Sequence, residues 1–524
     1  MSRLLRHLAL GLAALAGGAG CSPRPEARPR PRPNVLFIAV DDLRPTLGAY
    51  GDPIVKTPNI DRLARSGAVF LDAHAQQALC NPSRASLMTG LRPDSIRVWD
   101  LETDFRRTTP DVVTLPQYFM RHGYHAVSVG KIYHNVIPDS ASWSEPEYKV
   151  PGFPYDPDAV YHSHANVAIQ EVRRAELVRA GRQAEAVDQF GQWYLKANAT
   201  ESVDLPDSAY YDGAQTDYAV RRLAQLRDAG QPFFFAVGYY RPHLPFNAPK
   251  RYWDLYDPDS IPLAPNRFLP DGAPAMAINT MRELRNYADF RRAPESSEGH
   301  LDEADARRLK HGYYASISYI DAQVGRLLDQ LDSLGLAENT IVVLWGDHGF
   351  KLGEHNAWAK MTDYVIDTHV PLLIRAPGVI APGLRLPQMV EFVDVYPTLA
   401  ELAGLAVPAH LQGTSAVPLF RNPRRPWKPA VFSQFLRNGV WMARDGVPYM
   451  GYSMLTPEYH YVAWMRWDTR RYVAWELYDR RQDPDENVNL AGRPALASVL
   501  ARLEAERMAG WRAVRLPDAP GPPN

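Results

Sequence analysis

Five apolar runs of six or seven residues recur along the first three quarters of the chain. They occupy residues 35–40, 125–130, 232–238, 340–346 and 370–376. Continuous apolar runs of this length, without a polar residue at every second position, are typical of strands buried on both faces of a parallel sheet. The pattern therefore predicts a central, largely parallel sheet.

Helical patterns lie between these runs. Residues 57–67 place Pro58 at a helix start and Gly67 at its end. A second, longer helix is predicted before Gly335 by apolar residues at helical spacing, namely Ile317, Ile320, Val324, Leu327, Leu328 and Leu331. Strands that alternate with helices predict a doubly wound α/β domain with helices on both faces of the sheet.

The pattern changes after about residue 420. Residues 421–429 have the composition of a linker, and a helix is predicted from about Pro494 to Trp511. Between them, short aromatic strands are predicted in the segments FSQF, GVWMAR, YHYVAWMRW and RYVAWELY. We therefore expect a main domain over residues 34–420 and a C-terminal subdomain over 421–524, with a small antiparallel sheet and a helix.

The overall charge excludes one broad class of function. The 524 residues carry a formal net charge of −1, and 11% of them are aromatic. A nucleic-acid-binding protein usually has a strongly basic face, and a disordered chain has few aromatic residues. We therefore expect a folded protein without a nucleic-acid partner.

The first 20 residues have the pattern of an export signal. Arg3 and Arg6 precede an apolar stretch too short to span a membrane, and small residues lead into Cys21. This arrangement resembles the bacterial lipoprotein cleavage box. It predicts a periplasmic or cell-surface protein whose only membrane contact is a lipid anchor on Cys21, with residues 21–33 as a Pro/Arg-rich tether. An ordinary secretory signal cut near the same place is the alternative.

Charged and imidazole side chains follow four of the apolar runs. They are Asp41 and Asp42, Lys131 and His134, Arg241 and His243, and Asp347 and His348. Ligands of open α/β sheets bind beyond the carboxyl ends of the strands, so we expect these groups to meet there. Three carboxylates favour Ca²⁺, with Mg²⁺ as the alternative. His348 is expected either to bind the metal or to contact an anion beside it.

The segment Cys80-Asn81-Pro82-Ser83-Arg84, followed by Thr89-Gly90, resembles the signature of the type I sulfatases, which depend on formylglycine. In that family a separate formylglycine-generating enzyme reads Cys-x-Pro-x-Arg and oxidises the cysteine. Similar segments cover most of the chain after Asn34. They include residues 34–51, 57–64, 80–94, 128–134, 238–246, 346–360 and 368–372, together with the tail motif at 476–491.

Several of these segments are closer to the iduronate-2-sulfatase branch. They are DDLRP, RPD followed by Asp100, YRPHLPF, DHG with LGEH and WAK, and MGYS. Most sulfatases have Asp-Asn where this chain has Asp347-His348, whereas the iduronate branch has Asp-His. The resemblance implies an alkaline-phosphatase-like fold and hydrolysis of a sulfated uronate or another sulfated sugar.

The resemblance also implies roles for the residues at the strand ends. Asp41, Asp42, Asp347, His348 and the modified Cys80 would bind Ca²⁺. The sulfate would be surrounded by Lys131, His134, His243 and Lys360, and Arg84 would hold the formylglycine. We expect His134 to act as the general base, and either His243 or Lys360 to protonate the leaving oxygen.

Two other functions remain open at this point. A phosphatase or phosphonate monoester hydrolase of the same superfamily would use similar chemistry. A catalytically dead carbohydrate-binding lipoprotein would not need the intact Cys80. For recognition of a sugar carboxylate, Arg97, Arg106 and Arg107 are candidates, with a surface charge as the alternative for each of them. Residues 135–205 form an insertion expected to line a cleft.

Overall fold

The structure, a computed structural model, describes residues 32–135, 137–188, 191–439, 443 and 445–516. The predicted signal, Cys21 and nearly all of the tether lie outside the described residues. Every helix in the described part of the chain is too short or too polar to cross a membrane.

Fifteen strands are formed by the described residues: β1 Asn34–Val40, β2 Ala68–His74, β3 His125–Gly130, β4 Thr200–Val203, β5 Phe233–Tyr239, β6 Phe246–Pro249, β7 Thr340–Gly346, β8 Lys351–Leu352, β9 Trp358–Ala359, β10 His369–Arg375, β11 Leu384–Glu391, β12 Val431–Arg437, β13 Tyr449–Leu455, β14 Tyr459–Arg466 and β15 Arg471–Asp479. The α-helices among them are α1 Pro58–Ser66, α2 Cys80–Thr89, α3 Pro93–Ile96, α4 Phe105–Thr108, α5 Leu115–Arg121, α6 His164–Arg179, α7 Tyr211–Ala229, α8 Lys250–Trp253, α9 Arg282–Arg285, α10 Glu303–Ser333, α11 Val365–Thr368, α12 Val395–Leu402, α13 Val417–Arg421 and α14 Ala497–Ala513.

The central sheet has seven strands in the order β11-β2-β10-β7-β1-β5-β3. The pairs β7-β1, β1-β5 and β5-β3 are parallel, whereas β10 runs antiparallel to both of its neighbours. All five predicted strands are present. The apolar pattern did not predict β2 and β11, because both carry polar residues, and β11 is a half-exposed edge strand interrupted at Pro387.

Helices cover both faces of this sheet, as predicted for a doubly wound domain. Alternate residues of β1 point into two separate cores: Leu36 and Ile38 into one, Val35 and Phe37 into the other. Residues of α1, α7 and α10 line the first core, and residues of α2, α5 and α12 line the second. Because β1 is covered on both faces, its run of apolar residues is continuous.

The C-terminal sheet is antiparallel, in the order β12-β13-β14-β15, and α14 follows it. The second strand of this sheet is β13, with the sequence YMGYSML, which the pattern did not predict, whereas most of the predicted segment GVWMAR lies outside the described residues. Of that segment only Gly439 and Ala443 are described, and neither is in a strand.

The segment 421–429, predicted as a linker, is packed against the main sheet. Lys428 is buried there, with its Nζ 2.7 Å from Glu391 Oε2 and 2.6 Å from Asp394 Oδ2. A buried ammonium has to be paired in this way, because an unpaired charge in the interior is costly. Lys428 therefore links the segment before the C-terminal sheet to the residues at the end of β11.

Candidate active site

The candidate site lies at the carboxyl ends of four neighbouring strands, β7, β1, β5 and β3. Asp41 and Asp42 follow β1, and Asp347 follows β7, with the Asp42 N–H donating to Asp347 Oδ1 at 2.9 Å. Consecutive residues of a strand point to opposite faces, but Asp42 has a left-handed backbone (φ 57°). This turn brings both β1 carboxylates into one cluster.

Helix α2 brings the signature cysteine to the same cluster. Cys80 is its first residue and is almost fully buried, with Sγ 3.3 Å from His348 Nε2. His348 Nε2 also lies 3.3 Å from Asp42 Oδ1, and its other ring nitrogen contacts the Gly349 carbonyl at 2.9 Å. Burial and the nearby Asp41 carboxylate raise the pKa of the Cys80 thiol well above its usual value.

Arg84 lies one helical turn after Cys80 and joins α2 to three strand ends. Its Nε is 2.9 Å from Asp347 Oδ2, and its Nη2 is 2.8 Å from Asp41 Oδ1. Its Nη1 donates to the main-chain carbonyls of Lys131 and Ile132 beyond β3. The side chain is fully buried. Arg84 therefore holds the parts of the cluster together and also supplies a fixed positive charge.

Two lysines complete the charge balance. Lys131 Nζ lies 2.5 Å from Asp41 Oδ2, and Lys360 Nζ lies 2.7 Å from Asp42 Oδ2 and 2.8 Å from Glu283 Oε1. Burial alone would raise the pKa of Asp41, but Lys131 and Arg84 hold it well below its usual range. The cluster therefore pairs buried carboxylates with buried cations.

The donor set fits a hard divalent cation. Donor atoms of Asp42, Cys80 and His348 lie within 4.8 Å of one another, and so do those of Asp41, Cys80 and Asp347. All of these residues are buried, and three of them supply carboxylate oxygens, which Ca²⁺ and Mg²⁺ prefer. These five residues are the ones that would hold the ion.

The two histidines of the site lie in different electrostatic surroundings. Burial and the nearby Lys131 lower the pKa of His134 to about 3, and its Nδ1 has no hydrogen-bond partner among the described residues. His243 Nδ1 donates to the Leu244 carbonyl at 2.6 Å, and its Nε2 lies 3.1 Å from Glu283 Oε1. Neutral His134 can accept a proton, whereas His243, with an acceptor at each nitrogen, is suited to hold one.

A cavity of about 500 Å³ opens beside Cys80, with His134, His243, Lys131 and Lys360 in its wall. The insertion 135–205 lines it, as expected, through Asn135, Asp156, Asp158, Glu185, Ala186, Val187, Asp188, Tyr194 and Lys196. The volume lies within the ~300–1,000 Å³ of small-molecule sites. The site thus has room for a saccharide next to the reactive centre.

The three arginines proposed for a sugar carboxylate do not line this cavity. Arg97 and Arg107 are exposed, and Arg106 binds Asp139 with two contacts of 2.9 and 2.7 Å. Closeness to Cys80 in sequence was misleading, because Leu101 and Glu102 line the cavity whereas the three arginines near them in the chain do not. The structure therefore favours the other interpretation of these arginines, as charges outside the cavity.

Two cavity residues have no signal in the sequence. Glu283 lies in the four-residue helix α9, and Lys196 follows no strand or motif. Glu283 reaches the site from this single helical turn and Lys196 from an irregular segment, and the positions of both depend on packing between distant parts of the chain. A pattern of strands and turns cannot place such residues.

Comparison with known proteins agrees with this geometry. The family model described as Sulfatase matches residues 33–405, and the one described as N-sulphoglucosamine sulphohydrolase, C-terminal, matches residues 353–512. The chain is 35% identical to mouse (Mus musculus) iduronate 2-sulfatase over 87% of its own length and 90% of that protein.

Two solved structures share the fold at lower identity. A protein solved in complex with its substrate D-glucosamine-2-N,6-O-disulfate is 23% identical, with a TM-score of 0.70 over 92% of this chain and 99% of the other. The phosphonate monoester hydrolase of Agrobacterium radiobacter is 24% identical, with a TM-score of 0.67 over 92% and 96%. These structures show the shared fold, whereas the family match over residues 33–405 and the 35% identity to iduronate 2-sulfatase show that the chain belongs to the sulfatase family.

Proposed function

We propose that this protein hydrolyses the sulfate ester of a sulfated saccharide, a uronate or a related sugar, with Cys80 converted to Cα-formylglycine. The observation that carries the proposal is the position of Cys80. It is the buried first residue of α2, at the meeting point of three carboxylates, two lysines and Arg84. The Cys80-x-Pro82-x-Arg84 pattern that a formylglycine-generating enzyme reads is intact.

The thiol itself is poorly suited to this chemistry. Its raised pKa keeps it protonated, and a thiol sulfated on sulfur would have no easy route back to free enzyme. A formylglycine hydrate instead supplies two hydroxyls on one carbon, one to attack sulfur and one whose deprotonation expels sulfate and restores the aldehyde. The buried, constrained position of Cys80 supports a modified residue there.

The surrounding side chains have different roles in the proposed reaction. Lys131 and Lys360 provide fixed positive charge where the sulfate oxygens would lie, and Arg84 fixes the start of α2 against the strand ends. His134, whose Nδ1 has no hydrogen-bond partner in the described part of the chain, takes up a proton from the nucleophile. His243, which lies between Glu283 and the Leu244 carbonyl, delivers a proton to the leaving oxygen.

A divalent cation, Ca²⁺ or Mg²⁺, is part of the proposal. Asp41, Asp42, Asp347 and His348 would hold it together with residue 80. When bound, such a cation balances negative charge on a sulfate group and favours deprotonation of a nearby hydroxyl.

The choice of sulfated sugar rests on sequence similarity and on the cavity. A relative that is 35% identical over most of both chains is an iduronate 2-sulfatase. The chain also has the Asp347-His348 pair of that branch, and the cavity can accommodate a sugar. The complete cluster around Cys80 argues against a dead carbohydrate-binding protein. A phosphonate monoester hydrolase shares only the fold, at 24% identity.

Export completes the proposal. Arg3, Arg6 and the small residues before Cys21 support a lipoprotein signal, and the sequence 23–33 supports a tether. Sulfated polysaccharides are met outside the cytoplasm, so an anchored enzyme would act where its substrate is found. The maturation enzyme would then have to oxidise Cys80 before or during export.

Two measurements test the function. Peptide mass spectrometry of an active preparation should show residue 80 as the aldehyde or its hydrate, and Cys80→Ala should abolish sulfate release without unfolding the protein. A panel of matched sulfate and phosphate esters, on aryl groups and on sugars, should be turned over with sulfate preferred. Full activity with an unmodified thiol, or a preference for phosphate, would contradict the proposal.

A further inference from the structure

One lysine of the cavity has no carboxylate partner among the described residues. Lys131 and Lys360 each lie within 2.7 Å of an aspartate oxygen. Lys196 lines the same cavity and is only 9% exposed, yet no carboxylate of the described residues lies within 4.0 Å of its ammonium. A buried ammonium without a counter-charge is unfavourable, so the exception requires an explanation.

The contacts of the Lys196 ammonium are aromatic. Its Nζ lies 5.1 Å from the ring centroid of Tyr194 and 4.9 Å from that of Tyr287. Ring faces attract a cation and hold it in place without neutralising its charge. Burial would lower the pKa of Lys196, but the field of Tyr194 and of the more distant Glu283 raises it, so the side chain stays charged.

The two carboxylates whose charges act on Lys196, those of Glu283 and Asp158, face other cations of the site. Glu283 Oε1 contacts both Lys360 and His243, at 2.8 and 3.1 Å. Asp158 Oδ1 lies 3.5 Å from His243 Nδ1 and 3.7 Å from an Arg241 nitrogen. The positive charge of Lys196 is therefore available to an anionic group of a ligand that enters the cavity.

The main chain around Lys196 is held on both sides. The Leu195 carbonyl accepts from Gln170 Nε2 at 2.6 Å, and the Lys196 carbonyl accepts from Arg173 Nη1 at 2.6 Å. On the other side, the Ala197 N–H donates to Tyr161 Oη at 3.2 Å. A lysine fixed in this way is positioned before any ligand arrives, which reduces the entropy lost on binding.

We propose that Lys196, on its cradle of Tyr194 and Tyr287, is a second anion subsite that selects sulfated sugars carrying another anionic group besides the ester that is cleaved. The inference rests on the proposed function, and it replaces the three arginines that lie outside the cavity. A carboxylate or a second sulfate has the chemistry that the ammonium needs. The subsite adds binding energy and takes no part in breaking the S–O bond.

Binding to an inactive protein tests the subsite apart from turnover. In a Cys80→Ala background, calorimetry would compare Lys196→Met, Lys196→Arg and the exposed control Lys56→Met. The probes are a 2-sulfated uronate disaccharide, its carboxyl-reduced form, and a disulfated disaccharide without a carboxylate. Loss of a charged hydrogen bond predicts that Lys196→Met raises Kd about 10- to 100-fold for whichever probe carries the recognised anion.

The pattern across variants and probes decides the outcome. Lys196→Arg should recover most of the affinity, Lys56→Met should bind normally, and the carboxyl-reduced probe should be insensitive to Lys196→Met if the anion is the carboxylate. Equal affinity of Lys196→Met and its parent for both anionic probes would overturn the subsite.

Turnover by the parent enzyme separates this inference from the proposed function. With 4-nitrophenyl sulfate, which has no second anion, Lys196→Met should lose much less of its kcat/KM than it loses with the 2-sulfated uronate disaccharide. An equal loss on this substrate would mean that Lys196 has only a structural role. If the unaltered protein released sulfate from no ester, the proposed function would fail, while the calorimetry would still decide the subsite.

Discussion

The imidazole of His243 and the carboxylate of Glu283 lie 3.1 Å apart, on segments that are 40 residues apart in the chain. Burial alone would lower the pKa of His243, but the carboxylates of Asp158, Asp42 and Glu283 raise it. Glu283 also holds Lys360, so one carboxylate positions two of the groups that line the cavity.

Glu283→Gln tests this relationship. Because the charge that supports protonated His243 is removed, its pKa should fall, and the alkaline limb of the kcat/KM profile should move to lower pH. We expect kcat at neutral pH to drop about tenfold or more. The pH profile of sulfate release is the measurement, with Glu102→Gln, an exposed residue of the same cavity, as the matched control. An unchanged profile in the Glu283→Gln enzyme would show that Glu283 does not tune His243.

The metal cluster predicts that Asp347→Asn loses both bound cation and activity. Asp347 lies within the donor group of Asp41 and Cys80 and is fully buried, so the loss of one charge weakens the hold on a divalent cation. Activity should fall on the order of 100-fold or more. Elemental analysis together with sulfate release measures both effects.

Asp329→Asn is the control for this change, because Asp329 is exposed and pairs only with Arg62 at the surface. It should leave metal content and rate unchanged. Chelation of the parent enzyme should reproduce the loss seen with Asp347→Asn, and calcium or magnesium should restore activity. Zinc as the resident metal would contradict the assignment of a hard oxygen site.

The end of β11 predicts acid-sensitive stability. Glu391 binds Arg92 in two contacts of 2.7 and 2.8 Å and also binds Lys428 at 2.7 Å. Burial would raise the pKa of Glu391, but Arg92 and Lys428 lower it to about 2. A depressed pKa means that the stabilisation is present above the ordinary glutamate pKa of about 4.5 and is lost as the pH falls toward about 2.

Glu391→Gln should therefore lower the free energy of unfolding at neutral pH by about 3 kcal/mol, because it leaves Arg92 and Lys428 without their carboxylate. It should also flatten the dependence of stability on pH between about 4.5 and 2. Urea unfolding across this range is the measurement. Glu506→Gln, which breaks an exposed pair with Arg502, should cost no more than about 1 kcal/mol, and a similar loss in both variants would refute the prediction.

The lipoprotein proposal predicts that Cys21→Ser changes location. Without the thiol there is no site for lipid attachment, and the Pro/Arg-rich tether alone should not hold the protein at a membrane. Fractionation of cells expressing the parent chain and Cys21→Ser is the measurement. Cys80→Ser, which keeps Cys21, is the control and should stay with the membrane. Equal membrane association of all three chains would favour another anchor.

The charged residues at the strand ends can be predicted from the sequence, because each of them follows an apolar run directly or within a few residues. An apolar run buried in a parallel sheet ends at the edge where ligands bind, so Asp41, Asp347 and Lys131 are placed by their positions alone. The short motif around Cys80 adds the chemistry of that residue. To predict these features, one needs only the periodicity of the apolar residues along the chain and the identity of the residues that follow each apolar run.

Other parts of the site follow only from tertiary structure. Glu283 lies in the short helix α9 and Lys196 in an irregular segment, and packing against distant residues brings both to the cavity. Conversely, Arg106 is near the signature in sequence but binds Asp139 away from the cavity. The sequence by itself therefore determined the fold class through periodicity and the charged groups at the strand ends through local order, whereas the proposed role of Cys80 came from the resemblance of its motif to a family signature. Only long-range packing decided which side chains form the rest of the cavity wall, because closeness along the chain does not determine closeness in space.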